Sequence, residues 1–136
     1  MGSGVTENVE FTDQYNNVDV YWTYDGIDNV GEIKHRMGYK STAPCIVKGG
    51  AMLEKYKYDS IMSIARNNNK IPWYIMSFTD GITYLFNLND IEPNWVEEVD
   101  KYPKTTMGDN TKVTKVVTYI PLDKATNKVH MMINHS

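Results

Sequence analysis

Short apolar segments separated by turn residues run along most of the chain, a pattern typical of a sheet-rich domain. Residues 18–24 are mostly β-branched and aromatic, and residues 30–37 form the next predicted strand. The Asp-Gly and Asp-Asn pairs at 25–26 and 28–29 supply turn chemistry between the two strands. The pattern therefore predicts an antiparallel hairpin, in which both aspartates are turn residues.

A helix is predicted from about Ala51 to Arg66, after a loop over residues 38–50, because good helix formers dominate there. Four residues of this segment form one stripe at i, i+4, i+8 and i+11: Leu53, Lys57, Ile61 and Ile64. Lys57 is thus predicted to lie within an otherwise apolar helix face.

A fully buried central strand is predicted over residues 71–78, because apolar side chains occupy both of its faces. The Asp-Gly pair that follows predicts a hairpin to a partner strand over residues 82–88. Residues 113–120 form the last clear predicted strand, and the mixed segment before it includes a predicted short helix around Trp95.

The order of these elements predicts the fold class. With a weaker strand over residues 8–12, the order strand, strand, helix, strand, strand indicates an α/β (α+β mixed) domain, with a mixed β-sheet and a covering helix. A length of 136 residues suits one domain over residues 1–136. Its predicted core is 18–88, followed by a C-terminal extension over 89–136.

Composition excludes several classes of protein. The chain is 41% hydrophobic and 12% aromatic, which excludes wholesale disorder, and no apolar run approaches the roughly 20 residues of a membrane helix. The single cysteine, Cys45, cannot form an internal disulfide, so a cytoplasmic location is expected. The net charge of −3 argues against binding nucleic acid through bulk charge, but it leaves a local basic patch open.

Three polar residues of the hairpin are candidates for chemistry. Glu32 and Lys34 are two positions apart on a strand, so they share a face, and Asp19 lies on the neighbouring strand. Two converging carboxylates beside the backbone carbonyl of Ile33 would offer the hard oxygen ligands that Mg²⁺ prefers. The reaction that such a set serves is phosphodiester hydrolysis, in which a metal activates a bound water while Lys34 orients that water or stabilises charge on the phosphate.

This arrangement resembles the PD-(D/E)XK nuclease superfamily. Asp19, twelve intervening residues and the Glu-Ile-Lys at 32–34 precede a helix and a buried strand, and the likeness covers residues 18–88. The segments VGEIKHR, LEKYKYDSIM and PWYIMSFTDGITYLFNL also resemble small phage and bacterial members. The resemblance implies a restriction-endonuclease-like core in a bacterial or phage-infected cell. It further implies hydrolysis of DNA with Mg²⁺, or with Mn²⁺ in its place.

The resemblance also implies roles for individual residues. Asp19, Glu32 and the Ile33 carbonyl would be metal ligands, and Lys34 would be the catalytic lysine. Lys57 would contact phosphate or support the site. Basic residues group around these positions despite the negative net charge, and the expected DNA-binding residues are Arg36, Lys40, Lys55 and Lys57.

Other interpretations of the same residues stay open. Glu32 and Lys34 also fit a solvated strand face, and Lys57 also fits a side chain that runs along the core edge. The alternative function is a non-catalytic phage or bacterial protein on the same scaffold, which binds DNA or a host enzyme. The superfamily usually has a helix before the hairpin, and this helix often carries another Glu. No helix is predicted before the hairpin in this chain, so Glu7 or Glu10 is a candidate to replace that Glu. Because the segment is short, a homo-oligomer in which a neighbour covers the exposed sheet is expected.

Overall fold

The computed structural model describes residues 6–11, 18–36, 38, 40–100 and 113–130. These residues form nine strands and two α-helices, with two short 3₁₀ helices in addition. The strands are β1 (Thr6–Phe11), β2 (Val20–Tyr24), β3 (Ile27–Arg36), β4 (Ala51–Glu54), β5 (Ile71–Phe78), β6 (Ile82–Asn87), β7 (Val96–Asp100), β8 (Val113–Ile120) and β9 (Asn127–His130). The α-helices are α1 (Pro44–Gly49) and α2 (Lys55–Asn68), and the 3₁₀ helices are Leu88–Asp90 and Leu122–Lys124.

Two sheets are present among the described residues. The six-stranded sheet has the order β1-β2-β3-β5-β6-β9, and the three-stranded sheet has the order β4-β8-β7. Only β3 and β5 pair in parallel; the other described pairs are antiparallel. The helix α2 follows β3 and provides the crossover that a parallel pair requires. The predicted mixed sheet with a covering helix after the Glu-x-Lys strand is confirmed.

The β2–β3 hairpin turns through two residues. Asp25 and Gly26 have φ values of 53° and 77°, and Tyr24 pairs directly with Ile27. Two positive φ angles in a two-residue connection match the twist of the flanking strands, and Asp-Gly is a preferred sequence for it. Asp25 is therefore a turn residue, as predicted.

The prediction of a second turn at residues 28–29 was wrong, because both residues lie inside β3. Asp28 pairs with Thr23, whose hydroxyl donates a 2.8 Å hydrogen bond to the Asp28 carboxylate, and Asn29 pairs with Trp22. One Asp-Gly turn reverses the chain, so cross-strand pairing overrides the local turn preference of the Asp-Asn pair.

The predicted helix over residues 51–66 begins four residues too early. Residues 51–54 are β4, in which the buried Ala51 and Leu53 alternate with the half-buried Met52 and Glu54. This strand pairs with β8, more than 60 residues further along the chain. The helix begins at Lys55 and ends before Asn69, whose φ of 56° gives it a left-handed cap.

Two further predictions need correction. The loop predicted over residues 38–50 contains α1, and the segment around Trp95 leads into β7 rather than forming a short helix. The Trp95 ring packs edge-on against Tyr58 of α2, with 5.2 Å between centroids. The strands over 71–78 and 113–120 are confirmed, although β9 follows the second of them. Residues 12 and 37, at the ends of two predicted strands, lie outside the described residues.

The main core lies between the six-stranded sheet and α2. Ile61 and Ala65 of the helix are buried in the same cluster as Val30, Tyr74 and Met76 of the sheet. A smaller apolar cluster occupies the other face of the sheet: Val20, Ile33 and Ile75, with Trp22, Trp73 and Leu85 around them. None of the described helices is long and apolar enough to cross a membrane.

Replacement of Gly50 by alanine is expected to destabilise the fold. Gly50 has φ 84° and ψ −172°, a region almost confined to glycine, and an added Cβ would lie 2.5 Å from the Ile120 carbonyl oxygen. We expect the free energy of unfolding to fall by about 2 kcal/mol or more, measured by urea denaturation.

Gly49→Ala is the matched control for this substitution. An added Cβ at Gly49 meets no atom within 4 Å, so its effect is expected to stay within about 1 kcal/mol. Equal destabilisation by the two substitutions would contradict the strain assigned to Gly50.

Candidate functional site

The carboxylates of Asp19 and Glu32 meet where β2 begins. The last register pair of the hairpin at this end is Val20 with Gly31, and Asp19 directly precedes β2, where its negative charge acts on Glu32. The Asp19 N–H donates to the Gly31 carbonyl at 2.9 Å, which holds the chain in place just before β2. Two carboxylates that lie close together repel each other when both are ionised, so this pair needs compensation from its surroundings.

Asp19 receives part of that compensation from the backbone. Its Oδ2 accepts a 2.7 Å hydrogen bond from the N–H of Ile33. In an extended strand, the C=O of a residue points to the same edge as its N–H. The Ile33 carbonyl therefore points to the edge of β3 where Asp19 lies. Ile33 is beyond the part of β3 that pairs with β2.

Glu32 is compensated by Lys57. Glu32 is only 7% exposed, and the Lys57 ammonium of α2 donates a 3.0 Å hydrogen bond to its Oε2. Burial, followed by the charge of Asp19, still raises the pKa of Glu32 above its ordinary value. Burial alone would lower the pKa of Lys57, but the hydrogen bond and charge of Glu32 outweigh it and raise that pKa. The ion pair therefore favours the charged form of Lys57, whereas for Glu32 desolvation outweighs the pairing, because Glu32 is the more deeply buried partner.

Lys34 shares a face of β3 with Glu32 and reaches solvent. Partial burial lowers the pKa of Lys34, and the positive charges of Lys57 and Arg36 lower it further. Within the described part of the chain, no carboxylate lies within ion-pair distance of the Lys34 ammonium. Lys34 is thus a cation at the edge of the site that can approach a ligand.

The predicted basic residues divide into two groups. Arg36 lies on the same face as Lys34 and is half-buried, so it belongs to the site. Lys55 is engaged elsewhere: its ammonium lies 2.6 Å from Asp59 on the next turn of α2 and 5.8 Å from the centroid of the Trp95 ring. Lys40 is exposed in the loop after β3, and no described contact joins it to the carboxylates.

One residue of the site escaped the sequence analysis. Lys115 of β8 lies 3.7 Å from Glu54, whose negative charge acts on both Lys34 and Lys57. No local signal marks Lys115, because it reaches the site only through the pairing of β8 with β4. A prediction of that long-range pairing would have been needed to find it.

The oxygen donors of the site are few. Across the described ranges, no group of three or more His, Cys, Asp or Glu side chains could hold a metal ion. Of the two candidate substitutes in the N-terminal segment, Glu10 is exposed on β1 opposite Tyr21, and the side chain of Glu7 lies outside what the structure describes. Two carboxylates and the Ile33 carbonyl are therefore the donor set that the described residues supply.

Glu32→Gln is expected to change how stability depends on pH. Because the folded-state pKa of Glu32 lies above its ordinary 4.5, the folded chain holds this proton more tightly than the unfolded chain. The resulting stabilisation is complete below the unfolded pKa and is lost as pH rises through the folded pKa. The variant lacks this titration, so its stability relative to wild type should increase as pH rises from about 4 through the folded-state pKa of Glu32.

Urea unfolding of both proteins across this range measures the difference. Glu92→Gln, which makes the same substitution at an exposed position, is the matched control. A Glu32→Gln curve that loses stability relative to wild type as pH rises would show that attraction to Lys57, rather than burial, dominates the pKa of Glu32.

Comparison with known proteins gives no family. No protein-family model matches the chain, and no curated protein matches it. Among solved structures, the chain is similar to a Holliday junction resolvase from the archaeal hyperthermophile Archaeoglobus fulgidus, at 8% identity and a TM-score of 0.48. The match covers 90% of this chain and 82% of that chain. At this level of likeness, function has to come from the residues of the chain itself.

Proposed function

We propose that the chain is a divalent-metal-dependent DNA endonuclease of the PD-(D/E)XK type. The observation that carries the proposal is the proximity of the Asp19 and Glu32 carboxylates, with Lys34 two residues further along the same face of β3. Two carboxylates held together at the start of a strand weaken the fold, and such unfavourable arrangements concentrate at functional sites. A structural role alone gives no reason for this pairing.

The donor set fits a divalent cation. Asp19, Glu32 and the Ile33 carbonyl would hold it, and hard oxygen ligands of this kind suit Mg²⁺ or Mn²⁺. The raised pKa of Glu32, which comes partly from the charge of Asp19, marks a repulsion that a cation between the two groups would offset. When bound, such a cation supplies polarisation of a phosphate oxygen and a water molecule of lowered pKa.

The residues of the chain provide the remaining functions. The Ile33 N–H fixes the orientation of Asp19, so that carboxylate is already positioned for a cation, and Lys57 holds Glu32 while no cation is bound. The exposed Lys34 ammonium can stabilise the charge that develops on a phosphate. Burial and the neighbouring positive charges lower the pKa of Lys34, which reduces the free energy needed to deprotonate its ammonium.

The charge distribution supports a nucleic-acid substrate. Lys34 and Arg36 lie side by side on one face of β3, and the exposed Lys40 follows in the next loop. The chain as a whole carries a net charge of −3. A backbone phosphate would therefore be attracted to this local group of cations, with an affinity that falls as salt rises.

The ion pair between Lys57 and Glu32 favours a second candidate function. It partly neutralises the site from within the chain, so Glu32 has a cationic partner without a metal. A non-catalytic protein that binds DNA or a host enzyme through the same face would have this property. This second function predicts a folded protein that cleaves no DNA with any divalent metal.

Cleavage of supercoiled and single-stranded DNA with Mg²⁺ or Mn²⁺ distinguishes the two functions. We expect metal-dependent cleavage that EDTA abolishes and that falls by about 10²-fold or more in Asp19→Asn, Glu32→Gln and Lys34→Ala. Each substitution removes either a ligand of the cation or the ammonium beside it.

Matched controls are Glu92→Gln and Arg66→Gln, which alter exposed residues remote from the carboxylates and should leave cleavage unchanged. Circular dichroism checks that each variant is folded. Full activity in Glu32→Gln or Lys34→Ala would refute the assigned roles. Failure of the wild-type protein to cut either substrate would leave the binding function.

A further inference from the structure

The Lys57–Glu32 ion pair occupies an oxygen that the proposed metal site requires. The Lys57 ammonium lies 3.0 Å from Oε2 of Glu32, and their side chains are 32% and 9% exposed. The acceptor is thus enclosed, whereas the donor sits at the end of a flexible four-carbon stem that still reaches solvent. Of these two groups, Lys57 is the one that can move.

The position of Lys57 in its helix is unfavourable for stability. It lies in the first turn of α2, together with Lys55, and that turn contains no acidic residue. The amino end of a helix carries a partial positive charge, so cations in this turn are repelled while anions are attracted. The same end of α2 lies near Lys34: the charge of Glu54, the residue before the helix, acts on Lys34. A phosphate in the site would therefore meet both a helix terminus and a lysine.

Charge balance requires Lys57 to change its partner when a metal is present. Asp19 and Glu32 together carry two negative charges, of which Lys57 neutralises one. A divalent cation between the carboxylates would neutralise both and would repel an ammonium at its present distance from Oε2. Glu54, whose charge also acts on Lys57, is an alternative acceptor, but it already interacts with Lys115 at 3.7 Å.

We propose that Lys57 exchanges partners, pairing with Glu32 when no divalent cation is bound and with a backbone phosphate of DNA when one is. The exchange rests on the proposed nuclease function and adds a coupling to it. Release from Glu32 makes Lys57 available to DNA, and by linkage DNA that binds Lys57 opens Glu32 to the metal. Metal and DNA thereby strengthen each other's binding through one side chain.

DNA affinity measured with and without a metal tests the exchange. Binding of a short DNA duplex to wild type and Lys57→Gln is compared in EDTA and in Ca²⁺, a cation that prefers oxygen ligands. In EDTA, Lys57 is held by Glu32, so the two proteins should bind within about twofold of each other. In Ca²⁺, Lys57→Gln should bind about tenfold more weakly, which is within the usual range of coupling between sites.

Two further variants separate the exchange from general electrostatics. Lys40→Gln removes an exposed lysine that touches neither carboxylate, so it should change affinity by the same factor in both conditions. Glu32→Gln releases Lys57 without a metal, so it should strengthen DNA binding in EDTA. In the double variant Glu32→Gln/Lys57→Gln that gain should disappear, whereas a gain from lost negative charge alone would persist.

The outcomes also separate the exchange from the proposed function. If Lys57→Gln weakens DNA binding equally in EDTA and Ca²⁺, Lys57 is a constant phosphate contact and the exchange is wrong. If it has no effect in either condition, Lys57 serves only the fold, and the exchange is again wrong. In both cases metal-dependent cleavage by wild type would leave the nuclease function standing. A wild-type protein that binds neither Ca²⁺ nor DNA would overturn both proposals.

Discussion

The opposition of two carboxylates across the β2–β3 hairpin is the interaction on which the rest of the site depends. A two-residue turn with two positive φ angles sets the register, and hydrogen bonds to Gly31 and Ile33 then hold Asp19, just before β2, close enough for its charge to act on Glu32. A slip by one residue would turn Glu32 and Lys34 to the other face of the sheet. The turn at residues 25–26 is thus a structural element of the site, although it lies at the far end of the hairpin.

The surroundings of the pair compensate for its repulsion without removing it. A backbone N–H holds Asp19 and an ammonium holds Glu32, yet the pKa of Glu32 stays raised. Burial is the first cause of that shift, and a buried charge is costly even when it is paired. The site therefore retains a repulsion between the two carboxylates that a cation would offset. It stabilises the fold less than an apolar sheet face would.

Long-range pairing positions the helix that supplies Lys57. The strand β4 leads directly into α2, and β4 is held on one side by β8 and on the other by Tyr74, whose hydroxyl donates to the Met52 carbonyl at 2.7 Å. Tyr74 is also the register partner of Glu32 on β5. Glu32 lies on β3, and its neighbour Tyr74 on β5 contacts the strand β4 that leads into α2. These contacts couple the position of Lys57 to that of Glu32.

Sequence and tertiary structure determined different parts of this protein. Local patterns were sufficient for the Asp-Gly turn, the shared face of Glu32 and Lys34 and the buried strand β5, because turn preference and alternation act over a few residues. Local patterns were insufficient for β4, for Lys115 and for the contact of Lys57 with Glu32. Residues 51–54 contain good helix formers, and only a partner strand more than 60 residues away makes them extended. Pairing across such distances depends on the packing of the whole chain, so the tertiary structure alone decided which cation faces the carboxylates.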